Sequence, residues 1–481
     1  MRLLILPRWL PVVLVALCVS AAPVWTPPAL SSDLACAGFG RDDPCRPGGY
    51  WDPLSKACVG NSGQACYQCY TGPRCRTRLG AHECALTSGP GNPLVFQEYW
   101  EEHDGHPCTQ TPANYRSSYD RGLDTSSEPQ ILESVVRDLH RAVGNADPDN
   151  HTLVFGLGST QVMAAAMYAF AELMNVTDVL VAAPFYSGYA GQVLSTLSLP
   201  SLKQLRWNPA ADPTKPSTMQ IMTLPNNPDG NRFDAASAAA DASRLVYDMP
   251  YNWPQFTRHF RSPAPFPAAM KIFSASKLTG HAGSRLGWAL VKDPNIAAKM
   301  KEYIHKDTLG LSVDGWLRVR NVLAYMDKQT PPTSAPLQAS GSPRSPFAPN
   351  PALPFFVATQ QAMTARFQAL ADIFKCELGR KNGFLLDNKC ASYPCGAYAW
   401  VKCPAGYSCS KLFQAKGNLT GSPGPAYGAP DEYLRLTLMM RSVEIEQLLE
   451  RVRAVVCTTL PPASATLVVR AQVDVGPFVF C

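Results

Sequence analysis

Six short apolar runs recur through the middle of the chain: Thr152–Leu157, Val179–Ala183, Gln220–Leu224, Leu245–Tyr247, Ile272–Ser274 and Gly287–Val291. Ala-rich stretches at helical spacing, such as Gln161–Leu173 and Ala235–Ser243, lie between several of them. Strands that alternate with helices in this way bury both faces of a parallel sheet. The expected class is therefore α/β, with a mainly parallel sheet in a large domain. Ligands of such sheets bind at the carboxyl ends of the strands, so the residues there are the candidates for chemistry.

The richest of these ends is KIFSASKLTGHAGSRLGW, residues 271 to 288. A lysine at the mouth of a buried strand loses hydration, which lowers its pKa and frees Lys277 as a nucleophile. Such an amine forms Schiff bases with carbonyls, the aldehyde of pyridoxal phosphate among them. Arg285 could pair bidentately with a phosphate beside it, and the glycines permit close backbone approach. Ser274-x-x-Lys277 also has the spacing of penicillin-binding proteins, but the SDN and KTG elements of that class are missing.

The other tips suit the same cofactor. Gly158-Ser159-Thr160-Gln161 opens a helix, whose free N–H groups hold a phosphate. It is not a dinucleotide fingerprint, because Gln161 stands at the third glycine position. Pro184-Phe185-Tyr186 offers an aromatic face for a flat ring, and Asn226-Asn227-Pro228-Asp229-Gly230 is a turn with an inward amide. Asp248 and Tyr251 place a carboxylate and a phenol three residues apart; the carboxylate can keep a pyridine nitrogen protonated. Singly, each motif reads as a cap, a turn or packing. Five in order at strand ends do not.

The rest of the chain sets the context. Arg2 and Arg8 precede an apolar run, Leu10–Val19, and small residues Ser20–Ala22. That is the pattern of a secretory signal peptide over residues 1–22, with an uncleaved anchor as the alternative; no other stretch is long and apolar enough to span a membrane. Cys18 falls in it, leaving fifteen of the 16 cysteines for an oxidising compartment, with at least one unpaired or intermolecular. Asn150, Asn175 and Asn418 head sequons that fit export. Residues 34–86 crowd seven cysteines into a Gly- and Pro-rich segment too small to fold without disulfides. Cys66-x-x-Cys69 also has zinc-ligand spacing, yet export favours disulfides, and no metal is expected. Residues 130–143 have helical spacing and should pack on the large domain, residues 88–325. Residues 328–354 read as a Pro- and Ser-rich surface insertion. Residues 355–456 should form a smaller α+β domain, with a helix over Val357–Leu378 and strands at Tyr398–Val401 and Tyr433–Leu438. In the tail, 457–481, the last cysteine is expected to pair with Cys457. A net charge of +6 over 481 residues is too diffuse to call for nucleic acid.

GLGSTQ, APFY, TLPNNPDG, VYDMPYNWP, SKLTGHAGSRLGWALVKD and AYAWVKC together resemble the alliinase and tryptophan-aminotransferase-related family, a branch of the fold type I pyridoxal-phosphate enzymes. CYQCYTGPRC is similar to the EGF-like module that precedes the catalytic part of alliinases, although one cysteine before Cys66 is missing. The resemblance implies pyridoxal 5'-phosphate bound covalently by Lys277, which would later carry the α-proton. It gives Asp248 the ring nitrogen, Asn227 and Tyr251 the ring oxygen, and Tyr186 the ring face. Ser159, Thr160, Ser274 and Arg285 would hold the phosphate, with Tyr119 reaching over from a partner subunit of a homodimer with shared active sites. Arg435 would grip the carboxylate of an amino acid substrate, with Ser88 and Gly89 in a substrate loop, and Cys403 with Cys409 fits a family disulfide.

Two reactions share all these contacts. Transamination of an aromatic amino acid is the first expectation, because SKLTGHAGSR and NNPDG are more similar to the aminotransferase-related members. β-Elimination from an S-alkyl cysteine sulfoxide is the alternative, favoured by the signal and the Cys-rich module. A third reading is a secreted binding protein over an inert scaffold; the presence of Lys277 and Asp248 speaks against it.

Overall fold

The computed structural model describes residues 45, 50–52, 57–59, 66–101, 109, 127–193, 205–233, 241–261, 267–329 and 345–460. The expected signal segment, Tyr119, most of the Pro- and Ser-rich insertion and the tail beyond residue 460 lie outside these residues.

The apolar runs pair into one seven-stranded sheet. In chain order its strands are β1 (Thr152–Gly156), β2 (Asp178–Leu180), β3 (Arg206–Trp207), β4 (Thr218–Thr223), β5 (Leu245–Asp248), β6 (Met270–Ser274) and β7 (Gly287–Val291). Their order across the sheet is β1-β7-β6-β5-β4-β2-β3. Every neighbouring pair is parallel except those of β7, which runs against both β1 and β6. Successive side chains go to opposite faces. Leu153, Phe155, Tyr247, Phe273 and Trp288 join one core, while Val154, Val246, Ile272 and Ala289 join another. Burial on both faces is why these strands read as unbroken apolar runs. β3 left no such signal, being a two-residue edge strand whose arginine is exposed.

Helices cover both faces. Gly158–Met174 and Pro294–Thr308 pack on one side. The second of these starts from an Asp293 cap and Pro294 at its first turn. Ser127–Val143 and Val313–Gln329 lie on the other side. The first of this pair is pinned through His140, whose Nε2 accepts from Trp288 Nε1 at 3.0 Å. The expected helix Ala235–Ser243 falls largely outside the described residues; its end enters a 3-10 turn, Ala242–Arg244.

A second, antiparallel sheet carries β8 (Leu385–Leu386), β9 (Tyr398–Lys402), β10 (Ser422–Pro423) and β11 (Tyr433–Thr437), in the order β8-β9-β11-β10. Helices Phe355–Phe374, Cys409–Gly417 and Ser442–Val456 back it.

Cys66 pairs with Cys75 and Cys69 with Cys84, so the Cys66/Cys69 spacing serves two disulfides and no metal. Cys45–Cys58, Cys390–Cys395 and Cys403–Cys409 also pair. Cys457 does not wait for the terminal cysteine: it bonds Cys376, because the end of helix Ser442–Val456 lies against the end of Phe355–Phe374. The N-terminal module is joined tightly to the second sheet's side. Leu86–Thr87 pairs in parallel with Leu419–Thr420, Arg78 meets Glu450, and the Arg441 guanidinium sits 4.0 Å from the Tyr67 ring centre.

Candidate active site

The carboxyl ends of the parallel strands open on one crevice, and the second sheet faces them. From β6 the chain turns into one helical turn, Ala275–Leu278. Ser274 Oγ caps that turn by accepting from Ser276 N at 3.2 Å, which fixes the direction in which Lys277 projects. The Lys277 amine donates to the carbonyl of Gly91. Burial lowers its pKa, and the Arg435 and Arg285 charges push the same way, while Tyr398 opposes them.

Arg285 reaches this edge because β7 is reversed: it stands two residues before that strand's first residue. It adopts a left-handed backbone (φ 50°), and its Nη2 donates to Leu157 O at 3.4 Å. The guanidinium thus lies over the start of helix Gly158–Met174, where the phosphate loop was expected. A Cβ on Gly158 would fall 2.5 Å from Arg285 Nη2, and one on Gly287 would fall 2.3 Å from Ser159 N. Gly158 also has φ +78°, which L side chains avoid. Ser159 and Thr160 lie at the helix start with partly open side chains. Gln161 does not face a ligand: its Oε1 accepts from Leu157 N at 2.8 Å and its Nε2 donates to Asp307 at 2.6 Å.

At the tip of β5, Asp248 is buried. Its Oδ2 accepts from Tyr189 at 2.6 Å, and Tyr189 also meets Thr223 Oγ1 at 2.7 Å. Among the described residues, Asp248 Oδ1 has no partner. Burial pushes the carboxyl up to about 6, against the Tyr189 hydrogen bond. Three residues on, the Tyr251 hydroxyl lies 2.8 Å from that of Tyr398 on β9. Tyr186 stands edge-on to Tyr189 at 5.3 Å and feels the charges of Tyr398, Asp248 and Arg435 together. These groups therefore share one site.

Arg435, on β11, is buried at the opposite wall. It donates to Asn227 Oδ1 at 3.0 Å and to Gly89 O at 2.6 Å. Its guanidinium carbon lies 4.0 Å from the Tyr398 ring centre and 4.9 Å from that of Tyr427. Asn226, the neighbour of Asn227, is spent on the turn, donating to Pro184 O and Asp229. Ser88 is fully buried and does not reach the crevice. Its hydroxyl donates to Thr437 O at 3.2 Å and accepts from Thr437 N at 3.1 Å, which anchors the loop that carries Gly89 and Gly91.

The sequence reading missed Tyr189, Gly91 and any role for Tyr398. Tyr189 had a signal, since Tyr186-x-x-Tyr189 is one helical turn. Gly91 and Tyr398 had none, because their partners are far off in the chain.

The residues fit pyridoxal phosphate. A buried carboxylate oxygen lacks a partner where a ring nitrogen would be met. A helix N-terminus lies under a guanidinium that needs glycine beneath it. An amine ends in the same crevice.

Comparison with known proteins agrees. The family model described as "Allinase" matches residues 87–343. Tryptophan aminotransferase-related protein 3 of Arabidopsis thaliana is 28% identical over 453 residues, covering 89% of this chain and 90% of its own length. Tryptophan aminotransferase-related protein 2 of the same plant is 31% identical over 384 residues, covering 77% and 81%. Alliin lyase 1 of Allium sativum is 29% identical over 413 residues, covering 80% and 77%. Among solved structures, the aspartate aminotransferase of Rhizobium meliloti superposes with a TM-score of 0.53 at 14% identity, covering 78% of this chain and 91% of that one. At that identity the likeness speaks for the fold alone.

Proposed function

The chain belongs to the alliinase and tryptophan-aminotransferase-related family, and on that premise we propose that it is a pyridoxal-phosphate aminotransferase acting on an aromatic L-amino acid. The observation that carries the cofactor assignment is Asp248, a buried carboxylate with Oδ1 unpartnered and Oδ2 held by Tyr189.

When bound, pyridoxal phosphate supplies the electron sink that accepts the pair left as the α-proton departs. Asp248 would hold the ring nitrogen, Asn227 and Tyr251 the ring oxygen, and Tyr186 the ring face. The helix start with Ser159 and Thr160, together with Arg285 and Ser274, would hold the phosphate. Lys277 would hold the aldehyde carbon and would serve as the base for the α-proton; burial favours its neutral form. Arg435 orients the substrate carboxylate as a planar fork, and Gly89 O and Asn227 hold that fork in place. Burial of Asp248 and Arg435 in the crevice would help keep water from the reacting carbon.

β-Elimination from an S-alkyl cysteine sulfoxide is the second reading, supported by the alliin lyase relatives. It needs no second substrate. The disulfides fit an oxidising compartment, so the secretory pathway, entered through residues 1–22, completes the proposal. Glycans at Asn150 and Asn175, whose side chains are exposed, and a homodimer sharing its sites through Tyr119 belong to it too.

Two experiments test this reading. Purified protein with pyridoxal phosphate should absorb at about 410–430 nm and lose that band to borohydride; a colourless preparation rules the cofactor out. L-Tryptophan with pyruvate should yield alanine, whereas release of pyruvate from a cysteine sulfoxide alone would replace transamination by elimination.

A further inference from the structure

Two cations meet in the crevice, each resting on neutral oxygens. Lys277 rests on the Gly91 carbonyl, and Arg435 on Gly89 O, Asn227 and, more loosely, Ser422. Among the described residues neither forms an ion pair. Between them stands Tyr398, the first residue of β9 and 2% exposed. Its backbone is fixed: its carbonyl accepts from Asn388 Nδ2 at 2.9 Å, and it lies opposite Thr437 on β11. Its ring lies under the Arg435 guanidinium, and its hydroxyl meets Tyr251 at 2.8 Å. A Cβ built on Gly91 would lie 2.4 Å from the Tyr398 hydroxyl and 3.3 Å from Lys277 Nζ, so both groups abut the same glycine.

We propose that Tyr398 is a positioning residue for Lys277 and Arg435: its phenol oxygen is their shared counter-charge, and it governs how readily Lys277 releases its proton. The inference rests on Lys277 being the reactive amine, and it gives a named role to a residue outside the cofactor and substrate contacts above. A phenol beside a half-buried and a buried cation gains anionic character, because each charge stabilises the oxygen in a medium of reduced dielectric. Burial raises the Tyr398 pKa, but Lys277, Arg435 and the Tyr251 hydrogen bond together hold it below the ordinary value. The groups facing this pair are Arg285 toward Lys277, and Tyr251, Tyr186 and Tyr427 around Tyr398. A substrate carboxylate on Arg435 would take over part of the neutralisation, leaving less negative charge beside Lys277.

The test uses the full chain freed of cofactor and reads Lys277 directly. A limiting amount of acetic anhydride is added at a series of pH values, and mass spectrometry measures acetylation of the Lys277 peptide against exposed Lys381. Tyr398→Phe removes the oxygen that favours the ammonium, so the Lys277 midpoint falls by about one pH unit. Tyr251→Phe moves it in the same direction by less. An unchanged midpoint in Tyr398→Phe overturns the proposal; should that variant fail to fold, an unchanged midpoint in Tyr251→Phe does so. A wild-type chain that never takes up pyridoxal phosphate would instead overturn the cofactor reading, which this measurement does not use.

Discussion

Arg435 of the second sheet donates to Asn227 Oδ1, in the turn after β4 of the large sheet, at 3.0 Å, across 208 positions of sequence. The bond joins the proposed carboxylate grip to the proposed ring-oxygen contact, so one arginine ties the two walls of the crevice together. Replacing it by lysine keeps the charge but loses the fork and the stacking between Tyr398 and Tyr427. Arg435→Lys should lower kcat/KM by about 100-fold, mostly through KM, with the visible band of bound cofactor intact. Steady-state kinetics with absorbance on the same preparation checks this; equal KM values would remove Arg435 from substrate binding.

Asp248 makes the cofactor-free protein depend on pH. Its folded pKa, about 6, lies above the ordinary value of 3.8, so the folded state holds the proton more tightly. The contribution of this carboxyl group therefore falls as pH rises from about 4 through 6, and the loss levels off above that. Asp248→Asn mimics the protonated form. It should be more stable than the wild type by roughly 3 kcal/mol above pH 6 without cofactor, with the two converging near pH 4. Thermal unfolding across that range measures the difference. With pyridoxal phosphate added, the advantage should reverse, because only the carboxylate gains from a protonated ring nitrogen.

Gly91 has room for no side chain. Gly91→Ala would set a methyl against the Tyr398 hydroxyl and Lys277, an overpacking that costs about 1–3 kcal/mol. Borohydride trapping of pyridoxal phosphate on Lys277 should slow by about tenfold or more. Adding Tyr398→Phe removes the nearest clashing atom, so the double variant should regain part of the loss. A double variant no better than Gly91→Ala would show that the loop is displaced for another reason.

His140 sets an acid limit. It is fully buried, bonded to Asn145 and Trp288 and stacked on Trp253, and burial lowers its pKa to about 4. A depressed histidine contributes stability above its unfolded pKa near 6.5, and that stability is lost as pH falls toward 4. The stability that His140 contributes, read as the difference in urea midpoint between the wild type and His140→Gln at each pH, should therefore drop between pH 7 and pH 4 by an amount worth roughly 3 kcal/mol. His140→Gln should flatten that dependence while lowering stability at pH 7. An equally steep profile in the variant would assign the acid sensitivity to other groups.

Much of this was local enough to read in the chain. Apolar runs buried on both faces marked the strands, and the polar residues at their ends marked the crevice, because strand length and side-chain alternation are short-range properties. Lys277, Asp248 and Arg285 lie within forty positions of one another, at the ends of the consecutive neighbours β6, β5 and β7. Only the tertiary structure decided the rest. The reversal of β7 brings Arg285 to the lysine's edge, Ser88 turns from the crevice to Thr437 across 349 positions, and Tyr398 meets Tyr251 across 147. Cys457 finds Cys376 for the same reason. These contacts arise where separate elements dock, and no local periodicity encodes which distant side chain will fill a given gap.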